Sequence, residues 1–102
     1  MSSRFVSTAL VALMVAACSV GQPDESASGE ELYAQLCANC HGADLGGGIG
    51  PALGPGSNAA MENDDYLEFT IVNGRPPMPS FPSLESAQVD RLIEYLREVQ
   101  GS

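Results

Sequence analysis

Cys37-Ala38-Asn39-Cys40-His41 is the stretch on which the reading of this chain turns. Two thiols three positions apart lie one helical turn from each other, and an imidazole follows on the adjacent residue. Several chemistries use paired cysteines, and the rest of the chain separates them. A thioredoxin-like redox pair needs a strand-to-helix context, which is missing around these residues. A structural zinc site needs four ligands in closed geometry, yet His41 is the only histidine. The remaining cysteine, Cys18, lies across a polar stretch. An iron–sulfur cluster takes four cysteines, and the chain has three. The surviving reading is Cys-x-x-Cys-His as an attachment signature for haem c. Two thiols at this spacing reach the two vinyl groups on one edge of a porphyrin, and the next residue offers its imidazole to the iron.

Composition supports a cofactor-dependent fold. The chain has 102 residues, only 6% of them aromatic, and no Trp. Domains below roughly 70–80 residues usually need a staple such as disulfides, a metal or a cofactor. A pair of cysteines three apart and one distant cysteine make no disulfide framework, so one covalent haem is the expected completion of the core. The charge balance is acidic, with 13 Asp+Glu against 4 Lys+Arg, and every cation is an arginine. That excludes nucleic acid as a partner, since phosphate binding needs clustered cations. It also argues against docking on anionic lipid by charge.

Residues 1–17 read as an export signal: Arg4 is the positive region, Phe5 to Val15 the apolar region, and Ala16-Ala17 the small residues before Cys18. Val15-Ala16-Ala17-Cys18 resembles the lipobox of bacterial lipoproteins, in which the cysteine is acylated and becomes the first residue. An ordinary cleaved signal and an uncleaved anchor are the alternatives, although the apolar run is shorter than the ~20 residues of a spanning helix. All three place the rest of the chain outside the cytoplasm, in the bacterial periplasm and, for a lipoprotein, at a membrane. Residues 18–28 contain Gly, Pro, Ser, Asp and Glu and little that is apolar, so they read as a flexible linker with a limit of about 35 Å.

The expected fold of residues 29–102 is all-α, with three or four short helices around the haem and no strand. Ser28-Gly29-Glu30-Glu31 fits a capping box, and the i, i+4 pairs Leu32/Leu36 and Tyr33/Cys37 carry a helix into the cysteine pair. Gly42 to Ser57 is loop by its density of Gly and Pro. Asn63 caps a helix over Asp64 to Val72, closed by Asn73-Gly74. The last helix shows an apolar stripe of Val89, Leu92, Ile93, Leu96 and Val99, with Asp90, Arg91, Glu94, Arg97 and Glu98 facing water.

From Gly29 onward the chain resembles the class I, mono-haem c-type cytochromes. Gly29-x3-Tyr33-x3-Cys37 matches their opening helix, and Leu92-Ile-Glu-Tyr-Leu-Arg97 matches their closing one. The resemblance implies that these two helices cross, with Gly29 admitting Tyr95. Met78, within Arg75-Pro76-Pro77-Met78-Pro79-Ser80-Phe81, occupies the family's Met-Pro-x-Phe position and is expected as the second axial ligand opposite His41. The flanking prolines stiffen the backbone that carries it. Met61, ahead of an acidic helix, reads as surface or filler.

Gly50-Pro51-Ala52-Leu53 resembles the family's Gly-Pro-x-Leu. There the Pro51 carbonyl is expected to accept from the haem histidine and Leu53 to pack on the ring. Arg75 is the candidate partner for a haem propionate. One departure is Glu85, where the family has a Ser or Thr cap, with Ser83 and Ser86 nearby.

The resemblance implies single-electron transfer rather than enzymatic turnover. Two strong iron ligands leave no open position for substrate chemistry. The rivals are an electron-transfer subunit of a larger membrane oxidoreductase and a peroxidase-like or gas-binding protein in which Met78 dissociates. Carriers of this family often ring the haem edge with lysines, and here there are none, so a redox protein partner with a basic patch is expected.

Overall fold

In the computed structural model, residues 23–101 are described. The leader over residues 1–17 and the lipidation candidate Cys18 lie outside the described residues. Four α-helices follow in order: α1 (Gly29–Leu36), α2 (Ala38–His41), α3 (Asp64–Asn73) and α4 (Ser86–Gln100), with a 3-10 turn over Ala59–Met61 between α2 and α3. No strand occurs among the described residues; Arg75 and Met78 form one isolated bridge.

α1, α3 and α4 each start where a side chain can satisfy the first amides, whereas α2 follows Cys37 with no side-chain cap. Ser28 Oγ accepts from Glu31 N at 3.1 Å, and Glu31 Oε1 accepts from Ser28 N at 2.8 Å, the reciprocal capping box. Asn63 Oδ1 accepts from Tyr66 N at 2.8 Å to open α3, which runs one residue past Val72 to Asn73 before Gly74 closes it. Glu85 caps α4, its side chain taking an amide one turn on while Gln88 Oε1 accepts from Glu85 N at 2.8 Å. Glu85 thus performs the task for which the family pattern has Ser or Thr.

The core lies where α1 and α4 cross. Leu32 and Tyr33 from α1 meet Val89, Leu92, Ile93 and Leu96 from α4, while Leu67 and Ile71 of α3 pack in from the side. At the crossing Gly29 touches α4: a Cβ placed there would overlap Arg91 O and sit 2.8 Å from Tyr95 Cβ. The Tyr33 and Tyr95 rings meet with centroids 5.7 Å apart, inside the range for a favourable tilted aromatic pair.

The N-terminal edge of the domain falls earlier than composition suggests. Residues 18–28 read as linker, yet Ala27 is buried, with 8% of its surface exposed. Arg91 donates to Ala27 O at 3.0 Å and to Glu25 O at 2.6 Å, and Gln88 Nε2 reaches Asp24 O at 3.3 Å. Residues 24–28 therefore belong to the folded unit. The polar composition is real, but α4 holds the backbone of this stretch, and the Ala27 side chain joins the core.

Two substitutions test this packing in the haem-loaded protein. Gly29→Ala should lower unfolding stability by about 2–3 kcal/mol, because the new methyl meets backbone rather than a flexible side chain. Arg91→Ala should lower it by about 1–2 kcal/mol and open residues 24–27 to proteolysis. Denaturant melts and limited digestion provide the measurements, and wild-type behaviour of both variants would contradict the crossing.

Candidate functional site

Cys37 is the hinge between α1 and α2, with φ −118° and ψ −30°, and its amide still donates to Tyr33 O at 2.8 Å. α2 then carries Cys40 and His41 round one more turn, closed by Gly42 at φ 91°. Tyr33 OH donates to Gly42 O at 2.7 Å and so ties the end of α2 back to α1. Burial is the main reason that the Tyr33 hydroxyl is pushed up to about 12, with Cys37, Tyr95 and Asp44 adding to it.

The glycine-rich loop wraps this corner through its own backbone. Gly47 N donates to His41 O at 2.8 Å and Gly50 N to Cys40 O at 2.7 Å. Leu45 sits inside the turn, 2% exposed, while its carbonyl accepts from Leu53 N and Gly54 N at 2.9 and 3.1 Å. Gln100 Nε2 holds Leu53 O at 2.8 Å, which joins the loop to the end of α4. A Cβ on Gly50 would lie 3.0 Å from His41 Cε1 and 3.1 Å from Nδ1. The loop thus packs directly on the imidazole, and a side chain at position 50 would push the ring.

That packing defines the histidine. His41 is 9% exposed, and its Nδ1 lies 2.7 Å from Pro51 O. A carbonyl oxygen can only accept, so the contact assigns the ring proton to Nδ1 and leaves the lone pair on Nε2. Cys37 and Cys40 are free thiols, both half-buried. Burial, with a smaller contribution from Cys40, pushes the Cys37 thiol up to about 11, so it is neutral at pH 7. A buried imidazole with Nε2 available and two unpaired thiols one turn apart is a donor set that fits haem c.

The other expected residues occupy a different segment. Arg75 N donates to Met78 O at 3.1 Å and Met78 N to Arg75 O at 2.7 Å, so the two residues close a short loop on each other. Met78 is half-buried, whereas Met61 is 85% exposed. Phe81 N donates to Ile71 O at 3.1 Å, fastening the far end of this loop to α3. The exposed Arg75 guanidinium donates through Nη1 to Tyr66 OH at 3.1 Å.

Sequence reasoning did not single out Tyr66, Leu45 or Gln100. Leu45 had a signal, being the one large apolar residue between Gly42 and Gly48. The partners of Tyr66 and Gln100 are distant in sequence and leave no local signature.

The family model described as "Cytochrome C oxidase, cbb3-type, subunit III" matches residues 24–96. Over 96 residues the chain is 38% identical to a Pseudomonas aeruginosa protein named dihydro-heme d1 dehydrogenase, covering 91% of this chain and 18% of that one. Over 70 residues it is 43% identical to cytochrome c55X of the same organism, covering 62% of this chain and 58% of that protein. The chain therefore spans less than two thirds of the length of either relative. Among solved structures, the c-type cytochrome NirC superposes with a TM-score of 0.58 at 39% identity, over 69% of this chain and 85% of that one.

The Tyr33 hydroxyl gives a pH test. Its folded value lies above the ordinary value of 10.0, so its contribution to stability is complete below pH 10 and lost as pH rises toward about 12. Tyr33→Phe should cost about 1 kcal/mol at pH 7 by leaving Gly42 O without its donor. The gap between variant and wild type should close between pH 10 and 12 in denaturant melts of the haem-loaded protein. A gap that widens above pH 10 would contradict the assignment.

Proposed function

This chain belongs to the family described as cytochrome c oxidase, cbb3-type, subunit III, a family of c-type cytochromes, and on that premise we propose that it is a periplasmic-side, single-electron carrier with one haem c held by His41 and Met78. The covalent haem c is what membership implies, and its relatives include small cytochromes. The observation that carries the site reading is the buried His41 ring, locked by Pro51 O at 2.7 Å beside two free thiols.

When bound, haem supplies the reversible one-electron couple of its iron; the chain supplies attachment, orientation and surroundings. Cys37 and Cys40 form the thioether links. Pro51 O holds the Nδ1 proton, which orients the imidazole and raises the basicity of Nε2. Leu53, half-buried and packed against the core, lies on the same loop as Pro51 and would pack on the haem ring. Met78 offers a soft, neutral thioether, which favours ferrous iron and raises the potential relative to a second histidine. The Arg75 guanidinium would pair with a propionate through the N–H groups not directed at Tyr66. With His41 and Met78 both holding the iron, substrate chemistry there would be disfavoured, so the reading is a carrier rather than an enzyme.

A leader over residues 1–17 and acylation at Cys18 complete the proposal. Because the carbonyls of residues 24, 25 and 27 are held by α4, the span between Cys18 and the folded unit shortens to the five residue steps from Cys18 to Pro23, a limit of about 17 Å. A partner in the same membrane then meets the domain at high effective concentration, and weak contacts suffice. With the leader removed, three arginines face 13 carboxylates, so a basic docking patch is the electrostatic complement. A second reading, a cytochrome module serving a larger oxidoreductase, is favoured by the match to 18% of a much longer protein named as a dehydrogenase.

The haem should stay with the protein in acidic acetone, and Cys37→Ala with Cys40→Ala should abolish this. Reduced wild type should not bind carbon monoxide, whereas Met78→Ala should. Freely extractable haem overturns the attachment, and carbon monoxide binding by wild type overturns the closed coordination. Separately, Cys18→Ser should move the domain to the soluble fraction with an unchanged spectrum. The released domain should exchange electrons with a basic redox protein more slowly as salt rises. Retention in the membrane fraction would remove the acyl anchor from the proposal.

A further inference from the structure

The two proposed axial ligands are held in unequal ways. His41 is itself buried, with Gly50 packed on its ring and Pro51 O on its Nδ1, but the half-buried Met78 sits on a segment whose neighbours Arg75, Pro76, Pro77, Pro79 and Ser80 are all exposed. The segment is fastened to α3 at both ends, by Gly74 N to Thr70 O at 2.8 Å and Phe81 N to Ile71 O at 3.1 Å. Between those points Gly74 packs against the Met78–Ser80 backbone, and the side-chain contact from α3 is Tyr66 OH, accepting from Arg75 Nη1 at 3.1 Å.

Arg75 is also the residue whose backbone amide and carbonyl both pair with Met78, at 3.1 and 2.7 Å. α3 itself is well seated: Leu67 and Ile71 are buried, and Asp64 at its start pairs with Arg97 of α4 at 2.9 Å. Tyr66 is thus an aromatic side chain on an anchored helix, its tip bonded to the residue that clasps Met78.

We propose that Tyr66 is a positioning residue for the Met78 ligand: its hydroxyl, through the Arg75 guanidinium, holds the Arg75–Met78 loop closed and so resists loss of the thioether from the iron. The inference rests on Met78 as the second ligand and goes beyond it, because it assigns ligand retention to a residue that need not touch haem. The contact is partly exposed, with Tyr66 39% accessible, so its effect is modest in size. It is specific in direction.

Ligand exchange reads this out without any electron transfer. Added imidazole forms a nitrogen–iron bond at ferric haem as the Met78 sulfur–iron bond breaks, and the iron keeps its oxidation state. In the haem-loaded protein, Tyr66→Phe keeps the ring and removes the hydroxyl; imidazole affinity should rise about threefold, the scale of one partly exposed hydrogen bond. The weak ferric charge-transfer band of a thioether-ligated haem should fade at correspondingly lower imidazole. Arg75→Ala should raise the affinity at least as much, and the double variant should do no more than Arg75→Ala alone.

Unchanged imidazole affinity in Tyr66→Phe overturns the proposal while leaving Met78 ligation intact. Additive effects in the double variant also overturn it, since Tyr66 would then act by another route. Wild type that binds imidazole as readily as Met78→Ala overturns the ligation reading and the proposal together. Loss of unfolding stability in Tyr66→Phe without any change in imidazole affinity marks a structural role only and counts against it.

Discussion

The missing side chain at Gly29 lets α1 and α4 meet at backbone contact, and the position of everything else follows from that crossing. A methyl there would overlap Arg91 O. With the helices this close, Tyr33 and Tyr95 pair, and Leu32 and Leu92 are almost fully buried. The end of α1 is then fixed in space, and Cys37 begins there. Tyr33 contributes twice, through its ring to the crossing and through its hydroxyl to Gly42 O just beyond His41. The core and the site are therefore one mechanical unit: a shift of α1 on α4 is a shift of the thiols.

α4 also acts as a post to which irregular chain is tied. Gln88 and Arg91 take carbonyls of residues 24–27, Arg97 takes Glu62 O and Ala59 O beside Asp64, and Gln100 takes Leu53 O. A chain poor in aromatic residues cannot cover long loops with apolar surface. It satisfies their carbonyls with long polar side chains from one well-formed helix instead. Each such bond adds about 1 kcal/mol net, but an unpartnered carbonyl held away from water would cost more than that, which makes the ties a condition of the loops' shape. Two of the four arginines of this acidic chain, Arg91 and Arg97, are engaged in that work.

Features of the sequence that act locally were the legible ones. Ser28 with Glu31, Asn63, and the stripe from Val89 to Val99 each declare a helix within a few residues, and the structure places the helices there. The Cys37–His41 spacing is a local signal as well, whereas the contact of Pro51 O with His41 was expected only through resemblance, since nothing local says that a proline carbonyl will meet a histidine ten residues away. What stayed hidden were contacts across long separations. Asp24 to Ala27 look like linker because their side chains are small or charged, yet their carbonyls belong to Arg91 and Gln88 more than sixty residues on. Tyr66 looked like one more residue on a helix, and its partner is set by how the chain returns after Gly74.

The two halves of the candidate site differ in the physics that holds them. Around His41, backbone donors from Gly47 and Gly50 bind the carbonyls of His41 and Cys40, the buried ring touches Gly50, and Pro51 O captures its proton. Displacing the imidazole would require several of these short-range bonds to break together. Around Met78 the bonds are fewer and the surrounding residues exposed, so each can be exchanged for water at little net expense. Such an arrangement concentrates any opening of the site on the methionine side. On the proposed Met78 ligation, the helix that carries Tyr66, and not the helix that carries the cysteines, is where the lifetime of the closed state would be set.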